Sequence, residues 1–243
     1  MAPAVRLREA VALAGRFPLL AGVTLEVGEG EIVHLRGPNG AGKTSLLRLC
    51  CGLVRVRSGE AEVLGHDLVA DARAVRREVA LLGHAVYLYE ELTAPENLRF
   101  ALRAAGADPA LAPAALERLG ITGRLASLPV GQLSAGQRRR TGLALLVARR
   151  PRLWLLDEPH AGLDPDGRAL LDTLVADARA GGATILLSSH EHDRATALAD
   201  RVVEIAGGRV MSGHVGPAAA APLPAPDESA ANTIEPDKAA HVA

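Results

Sequence analysis

One glycine-rich stretch, GPNGAGKT at residues 37–44, constrains the fold of this chain more than any other feature. It satisfies the pattern G-x-x-x-x-G-K-[ST], and it lies between a strand pattern, EIVHLR at 31–36, and a helical pattern, TSLLRL at 44–49. Glycines let backbone N–H groups converge on phosphate oxygens, and the start of a helix adds about half a positive charge. The stretch therefore predicts a strand, a phosphate-binding loop and a helix in succession.

The residue types of this loop each have a chemical reason. Lys43 is expected to reach the β- and γ-phosphates of a nucleotide, and Thr44 is expected to ligate Mg²⁺. The chain has 27 basic residues, and all of them are arginine except Lys43 and Lys238. A compact ammonium is thus kept in the loop, where the bulkier guanidinium fork would fit badly. The residues predicted to bind the nucleotide here are Gly37, Pro38, Asn39, Gly40, Ala41, Gly42, Lys43, Thr44 and Ser45.

Polar side chains follow two further strand patterns. Asp157 and Glu158 come directly after LWLL at 153–156, so both carboxylates are expected at the carboxyl end of a buried strand, where open α/β sheets bind ligands. Asp157 is expected to hold the magnesium shell, and Glu158 to polarise a water for attack on the γ-phosphate. His190 ends the pattern TILLSS at 184–189, and it either hydrogen-bonds the γ-phosphate or has a structural role.

The order of these patterns predicts an α/β fold with a mostly parallel core sheet, because short, bounded apolar runs suit buried parallel strands. About a hundred residues of Ala, Leu and Arg in helical spacing separate the phosphate-loop pattern from LWLL at 153–156, and within them a helical insertion is predicted at about residues 95–150. The segments 19–33 and 59–64 suggest additional antiparallel strands. One domain is predicted over residues 1–212, and the Ala- and Pro-rich segment 213–243 is predicted to be disordered.

Composition argues against several classes of protein. The formal net charge of −1 argues against nucleic acid as the main partner, and the arginine run at 138–140 is interpreted as the solvated start of a helix. No stretch approaches the roughly 18 to 20 apolar residues that span a bilayer, and a signal peptide is not expected. Cys50 and Cys51 are too close to bridge comfortably and are interpreted as reduced core residues.

A second glycine motif, LSAGQ at 133–137, opens another helical pattern. Ser134 is a suitable N-cap, and the nearby glycine exposes backbone N–H groups, so this is a second potential phosphate site. With this motif the chain resembles the ATP-binding subunits of ABC transporters, whose signature is usually LSGGQ. Five motifs match in order within roughly residues 5–211: GPNGAGKT at 37–44, LSAGQ at 133–137, LWLLDEP at 153–159, AGLD at 161–164 and SSH at 188–190.

The resemblance implies a P-loop NTPase fold of the ABC type that uses ATP and Mg²⁺. It also implies a head-to-tail homodimer, in which ATP lies between the phosphate loop of one copy and the LSAGQ helix of the other. By the same resemblance Glu158 is the general base, His190 a γ-phosphate switch, and Asp164 part of a loop that communicates across the interface. Permease subunits are the implied partners, at the cytoplasmic side of the membrane. The residues implied to contact ATP from the second copy are Ser134, Ala135, Gly136 and Gln137.

His84 and Ala85 depart from the family pattern, and the role of Phe17 stays open between two alternatives. Family members usually place a magnesium-contacting glutamine about nine residues before a Thr such as Thr93, and here that position is His84, so either His84 or a water is expected to fill the site. The Gly-His pair followed by LTAPENLRF resembles the haem-exporter ATPase branch of cytochrome c maturation, in which Gly-His-Gln is common, but the third residue here is Ala85. Phe17, the only aromatic residue before the loop, either stacks on adenine or packs in the core.

The predicted function is therefore an ATP-hydrolysing subunit that powers a separate membrane permease, in haem export and cytochrome c biogenesis. The same ATPase exporting a drug, a lipid or another solute stays an alternative, because substrate contacts belong to the permease. A soluble ABC ATPase acting on ribosomes or DNA is a third alternative. Such proteins usually carry tandem cassettes or a coiled-coil insertion, and the sequence shows neither.

Overall fold

The computed structural model describes residues 3–83 and 85–211, which form ten strands and eight α-helices. The strands are β1 (Pro3–Ala14), β2 (Phe17–Gly28), β3 (Ile32–Arg36), β4 (Val56–Val63), β5 (His66–Asp67), β6 (Val79–Leu82), β7 (Leu153–Asp157), β8 (Thr184–Ser188), β9 (Arg201–Ala206) and β10 (Arg209–Val210). The helices are α1 (Lys43–Cys50), α2 (Leu68–Glu78), α3 (Ala94–Ala104), α4 (Ala112–Arg118), α5 (Gly123–Ser127), α6 (Ala135–Arg149), α7 (Pro165–Ala180) and α8 (His192–Leu198). His84, a predicted metal contact, and the segment 213–243, predicted to be disordered, lie outside the described residues.

Two sheets organise the chain. The first is antiparallel, with the order β2-β1-β4-β5, and the second has the order β10-β9-β3-β8-β7-β6. The second sheet is parallel except for the β9–β10 pair. Helices α3 to α6 are inserted in the chain between β6 and β7. The predicted α/β fold, with a mostly parallel core sheet and extra antiparallel strands, is confirmed.

The parallel strands are buried on both faces, which explains their continuous apolar sequences. Along β7, Leu153 and Leu155 pack in a cluster shared with the antiparallel sheet and α1. The alternate residues, Trp154 and Leu156, pack in a second cluster shared with the inserted helices. Each fully buried Leu stabilises the fold by about 1.5–3 kcal/mol. The parallel sheet is thus fixed between two apolar layers, and polar groups occur where its strands end.

Two further predictions concern the core and the membrane. Cys50 and Cys51 are free and buried, as predicted. Burial raises the pKa of the Cys50 thiol to about 12 and that of the Cys51 thiol to about 11, so both stay protonated at neutral pH. Within residues 3–83 and 85–211, no helix combines the length and the apolar character that crossing a membrane requires.

Candidate functional site

The phosphate loop connects the carboxyl end of β3 to the start of α1. Gly37, Gly40 and Gly42 have φ values of 154°, 76° and 111°, which glycine adopts without the steric cost of a Cβ. At Gly37, an added Cβ would lie 2.1 Å from the carbonyl oxygen of Ile205 on β9. The loop therefore needs glycine both for its backbone conformation and for its close approach to the neighbouring strand.

Lys43 is the first residue of α1, and its side chain folds back over the loop. Its Nζ donates hydrogen bonds to the carbonyl oxygens of Gly37, over 2.7 Å, and Pro38, over 3.1 Å. The residue is only 8% exposed. These two carbonyls hold the ammonium inside the loop, where phosphate oxygens are expected to bind.

Asp157, the last residue of β7, hydrogen-bonds both to Thr44 at the end of the phosphate loop and to Ser188 on strand β8. The Thr44 hydroxyl donates to Asp157 Oδ2 over 2.9 Å, and the Ser188 hydroxyl donates to Asp157 Oδ1 over 2.7 Å. The pairing of β7 with β8 sets Ser188 opposite Asp157. The sequence predicts no such role for Ser188, although the SSH motif contains it, because the contact depends on strand register. A hydroxyl and a carboxylate in contact form an all-oxygen donor set, which suits a small, hard cation such as Mg²⁺.

Glu158 lies in a strained turn directly after β7. Its φ is 51°, a conformation that costs about 1–3 kcal/mol for a residue with a side chain. The His190 backbone N–H donates to Glu158 Oε2 over 2.9 Å, while His190 Nε2 lies 3.6 Å from Oε1. Oε1 is buried and finds no hydrogen-bond partner among the described residues. Such an atom is costly unless a ligand or water satisfies it, so the geometry fits a site that takes up a polar ligand here.

A single cavity of about 370 Å³ brings most of the predicted residues together at the carboxyl end of the parallel sheet. Because β8 lies between β3 and β7, His190 is positioned between the phosphate loop and the acid pair. The lining residues are Pro18, Leu19, Asn39, Gly40, Ala41, Gly42, Lys43, Thr44, Ser45, Asp157, Glu158 and His190. Gly37 and Pro38 line an adjoining cavity of about 410 Å³ that also reaches His190.

Phe17 begins β2 and is 77% exposed, so the interpretation that it packs in the core is wrong. The ring cannot be buried because it lies at the edge of the antiparallel sheet's first hairpin, paired with Ala14 at the turn. Phe17 does not line the cavity of the phosphate loop itself, but the next two residues, Pro18 and Leu19, do. The other predicted role, stacking on a base, is therefore sterically open.

The LSAGQ motif forms the start of α6, with Ser134 as its N-cap. The Ser134 hydroxyl accepts from the Gln137 backbone N–H over 3.2 Å, and Gln137 Oε1 accepts from the Ser134 backbone N–H over 2.8 Å. This reciprocal capping box fixes the first turn of the helix. Ser134, Ala135, Gly136 and Gln137 do not line the cavity of the phosphate loop. In one copy, the start of α6 therefore lies outside the cavity that the start of α1 lines.

Asp164 is the N-cap of α7, and its side chain also hydrogen-bonds to α6. Its Oδ1 accepts from the Gly167 backbone N–H over 2.8 Å and from Arg140 Nη2 over 2.7 Å. The Gly167 hydrogen bond and then the Arg140 guanidinium hold the pKa of this carboxyl below its usual range. Nearby, a Cβ added at Gly136 would lie 3.0 Å from the Gly162 carbonyl oxygen. The AGLD loop and the signature helix are thus in close contact.

The arginine run at 138–140 is not uniformly solvated, so that interpretation is wrong for its middle residue. Arg139 is 4% exposed, and its guanidinium donates to backbone carbonyl oxygens at the ends of β6 and β7. Burial lowers its pKa, but an arginine stays charged. A signal was present in the sequence: Leu143 and Leu146, four and seven residues further on, place Arg139 on the buried face of α6.

Taken together, the fold and this geometry define a nucleotide-hydrolysing protein of the phosphate-loop class. A family model described as "ABC transporter" matches residues 20–161, more than half of the chain. The chain belongs to the ABC transporter family, and it is an ATPase of that family.

Two curated relatives and one solved structure show the range of this similarity. A cytochrome c biogenesis ATP-binding export protein, CcmA, of Aromatoleum aromaticum is 43% identical over 71% of this chain and 82% of its own length. A daunorubicin resistance ATP-binding protein, DrrA3, of Streptomyces coeruleorubidus is 42% identical over 79% of this chain and 62% of its own length. A dimeric post-hydrolysis state of the cassette MJ0796 bound to ADP and Pi superposes with a TM-score of 0.77, at 25% identity over 87% of this chain and 98% of that one.

Proposed function

We propose that this protein is the ATP-hydrolysing subunit of an exporter that acts in cytochrome c biogenesis. It would work as a peripheral subunit at the cytoplasmic side of the membrane, with separate permease subunits. The observation that carries the proposal is the 43% identity to a cytochrome c biogenesis export ATPase over 71% of the chain. The buried Oε1 of Glu158 beside the phosphate loop, which accepts no hydrogen bond from the described residues, supports hydrolysis as the chemistry.

The proposed roles follow from the contacts at the cavity. The phosphate loop binds ATP, Lys43 neutralises its phosphate charge, and Thr44 and Asp157 hold Mg²⁺, which would neutralise further charge on the phosphates. Glu158 polarises the attacking water through Oε1. His190, with its side chain 54% exposed and its Nε2 3.6 Å from that oxygen, hydrogen-bonds the γ-phosphate.

A contact to the adenine base and a further contact to the metal complete the proposed nucleotide site. Phe17 stacks on adenine, which its exposure and its position beside the cavity-lining Pro18 and Leu19 support. His84 or a water takes the place of the family's glutamine at the metal.

The proposed assembly is a head-to-tail homodimer. Ser134 to Gln137 form a capped helix start that does not line the cavity of its own phosphate loop, which supports a role for the motif at a nucleotide held by another copy. The similar cassette bound to ADP and Pi is dimeric, which supports the same arrangement here. Each ATP would then be held by the phosphate loop of one copy and the LSAGQ helix of the other.

An exposed aromatic patch supports docking on a membrane subunit. Tyr87, Tyr89 and Phe100 are 89%, 54% and 51% exposed, and they border a cavity of about 450 Å³. Large apolar side chains exposed together mark protein–protein contact surfaces. We assign this patch, on and beside the segment 85–97, to the permease.

Export of a drug is the second candidate function, because the daunorubicin resistance protein is 42% identical over 79% of this chain. The hydrolytic residues would be the same in both cases, so the permease decides between them. Nucleic acid is not a proposed partner, given the net charge of −1.

A complementation experiment tests the proposal. The chain is expressed with the membrane subunits of its native host in a bacterium that lacks its own cytochrome c biogenesis export ATPase. We expect c-type cytochromes, measured by haem-dependent peroxidase staining, to return, and the Glu158→Gln variant to fail. Stable expression without any return of c-type cytochromes, together with increased daunorubicin resistance, would favour the second function instead.

A further inference from the structure

The Arg139 guanidinium connects helix α6, which begins with the LSAGQ motif, to the turn that carries Glu158. Nη2 donates to the carbonyl oxygens of Asp157, over 3.0 Å, and Glu158, over 2.5 Å. Nε donates to the carbonyl oxygen of Pro159 over 3.3 Å. Nη1 donates to the carbonyl oxygen of Gly83, at the end of β6, over 2.8 Å. Arg139 thus binds the backbone carbonyls of three consecutive residues, Asp157 to Pro159, centred on Glu158.

The bonds of Arg139 surround a strained residue. Glu158 has a φ of 51°, and the guanidinium binds its carbonyl and the carbonyls of both neighbours. A backbone conformation of this kind persists only where surrounding contacts hold it. Arg139 is therefore placed to fix the direction of the Glu158 carboxylate, whose Oε1 is buried beside His190.

The same side chain belongs to the signature helix. Arg139 is five residues after the N-cap Ser134 on α6, which corresponds to roughly 7–8 Å along the helix axis. α6 is also packed tightly at this level: a Cβ added at Gly142 would lie 2.7 Å from Val86 Cγ1 and 3.1 Å from Leu82 Cδ1. Because α6 is one continuous helix from Ala135 to Arg149, a shift of its start would also displace the guanidinium from the carbonyls it binds.

We propose that Arg139 is a positioning residue that couples contact between the LSAGQ helix and a second copy's nucleotide to the orientation of Glu158 in its own copy. This inference rests on the proposed head-to-tail arrangement. A lysine cannot replace the arginine, because three N–H donors at one point cannot span the ends of two strands as the planar guanidinium does.

Variants at Arg139 test the coupling. In Arg139→Lys and Arg139→Ala we expect the dissociation constant for MgATP to stay within about threefold of wild type. We expect kcat to fall by roughly tenfold or more, and the Hill coefficient for ATP to fall towards one. Guanidinium chloride at low millimolar concentration should restore part of the kcat of Arg139→Ala and leave wild type unchanged. The matched control is Arg138→Gln, whose partly exposed side chain donates to the Leu133 carbonyl and should leave all three quantities near wild type.

The outcomes of these experiments test the role of Arg139 and the two-copy arrangement separately. If Arg139→Ala does not fold, as judged by thermal unfolding with nucleotide present, Arg139→Lys alone decides. A kcat and Hill coefficient equal to wild type in Arg139→Lys would overturn the role of Arg139. Weaker nucleotide binding in step with a lower melting temperature would also overturn it, because that is the signature of a purely structural residue. Failure of the Glu158→Gln protein to dimerise with MgATP would instead overturn the two-copy arrangement itself.

Discussion

Replacing Glu158 with glutamine should lower kcat for ATP hydrolysis by roughly 10²-fold or more and leave MgATP binding close to wild type. Glutamine keeps the shape of the side chain and can still accept from the His190 backbone N–H, which donates to Oε2 over 2.9 Å. It removes the negative charge at the buried Oε1 that would polarise the attacking water. Phosphate release measures the first effect, and titration with a fluorescent ATP analogue measures the second.

The matched control is Glu204→Gln. Glu204 is half exposed on β9, where it pairs with Arg36 over 3.9 Å, and it borders the cavity beside the phosphate loop. Its replacement removes one carboxylate near the site without touching the acid pair, so kcat should stay within about twofold of wild type. A Glu158→Gln protein that hydrolyses ATP as fast as this control would show that another group is the base.

Replacing Lys43 with alanine should weaken MgATP binding by at least tenfold, about 1.4 kcal/mol, and abolish measurable hydrolysis. The ammonium sits inside the loop on the carbonyls of Gly37 and Pro38, so its loss removes the fixed positive charge at the phosphates. Lys43→Arg should fail almost as badly, although the charge is kept, because the guanidinium is too large for a residue that is 8% exposed. Isothermal titration measures both affinities.

Arg48→Ala is the control for charge alone. Arg48 is exposed on the same helix α1, one turn further on, and it does not line the cavity of the phosphate loop. Its loss lowers the basic charge by the same amount, so an affinity within about twofold of wild type is expected. If Arg48→Ala and Lys43→Ala weakened binding equally, general charge and not the geometry of the loop would govern affinity.

The sequence predicts those elements in which the apolar pattern of a strand or helix is followed or preceded by residues of a recognisable chemical role. The phosphate loop, β7 and β8 each combine an apolar strand with a polar end, and the signature helix has its own cap at Ser134. The cavity then follows from topology, because parallel strands bring their carboxyl ends to one edge of the sheet.

The unpredicted elements have short or interrupted patterns. β6 is only four residues, Val79–Leu82, and follows a helix directly, so its apolar run cannot be told from the end of that helix. β1 loses its alternation at a bulge, where Glu9 has a φ of 47° and the register with β2 shifts between Leu7 and Ala10.

The contacts of the site depend on tertiary structure. Ser188 meets Asp157 only through strand register, and Arg139 meets the turn at Glu158 from 19 residues away. The composition of the arginine run predicts solvated side chains, whereas its helical spacing to Leu143 and Leu146 places Arg139 on the buried face of α6. The carbonyl groups that Arg139 contacts there are set by the packing of α6 against the sheet. Exposure of Phe17 likewise depends on the hairpin that carries it.

The mass of the Glu158→Gln protein in solution tests the two-copy arrangement most directly. With saturating MgATP, light scattering should give twice the mass of one chain, and with ADP the mass of one chain. Adding Ser134→Arg should return the MgATP sample to one chain, because the bulky side chain blocks the start of the signature helix. A Glu158→Gln protein that binds MgATP yet keeps the mass of a single chain would contradict the arrangement.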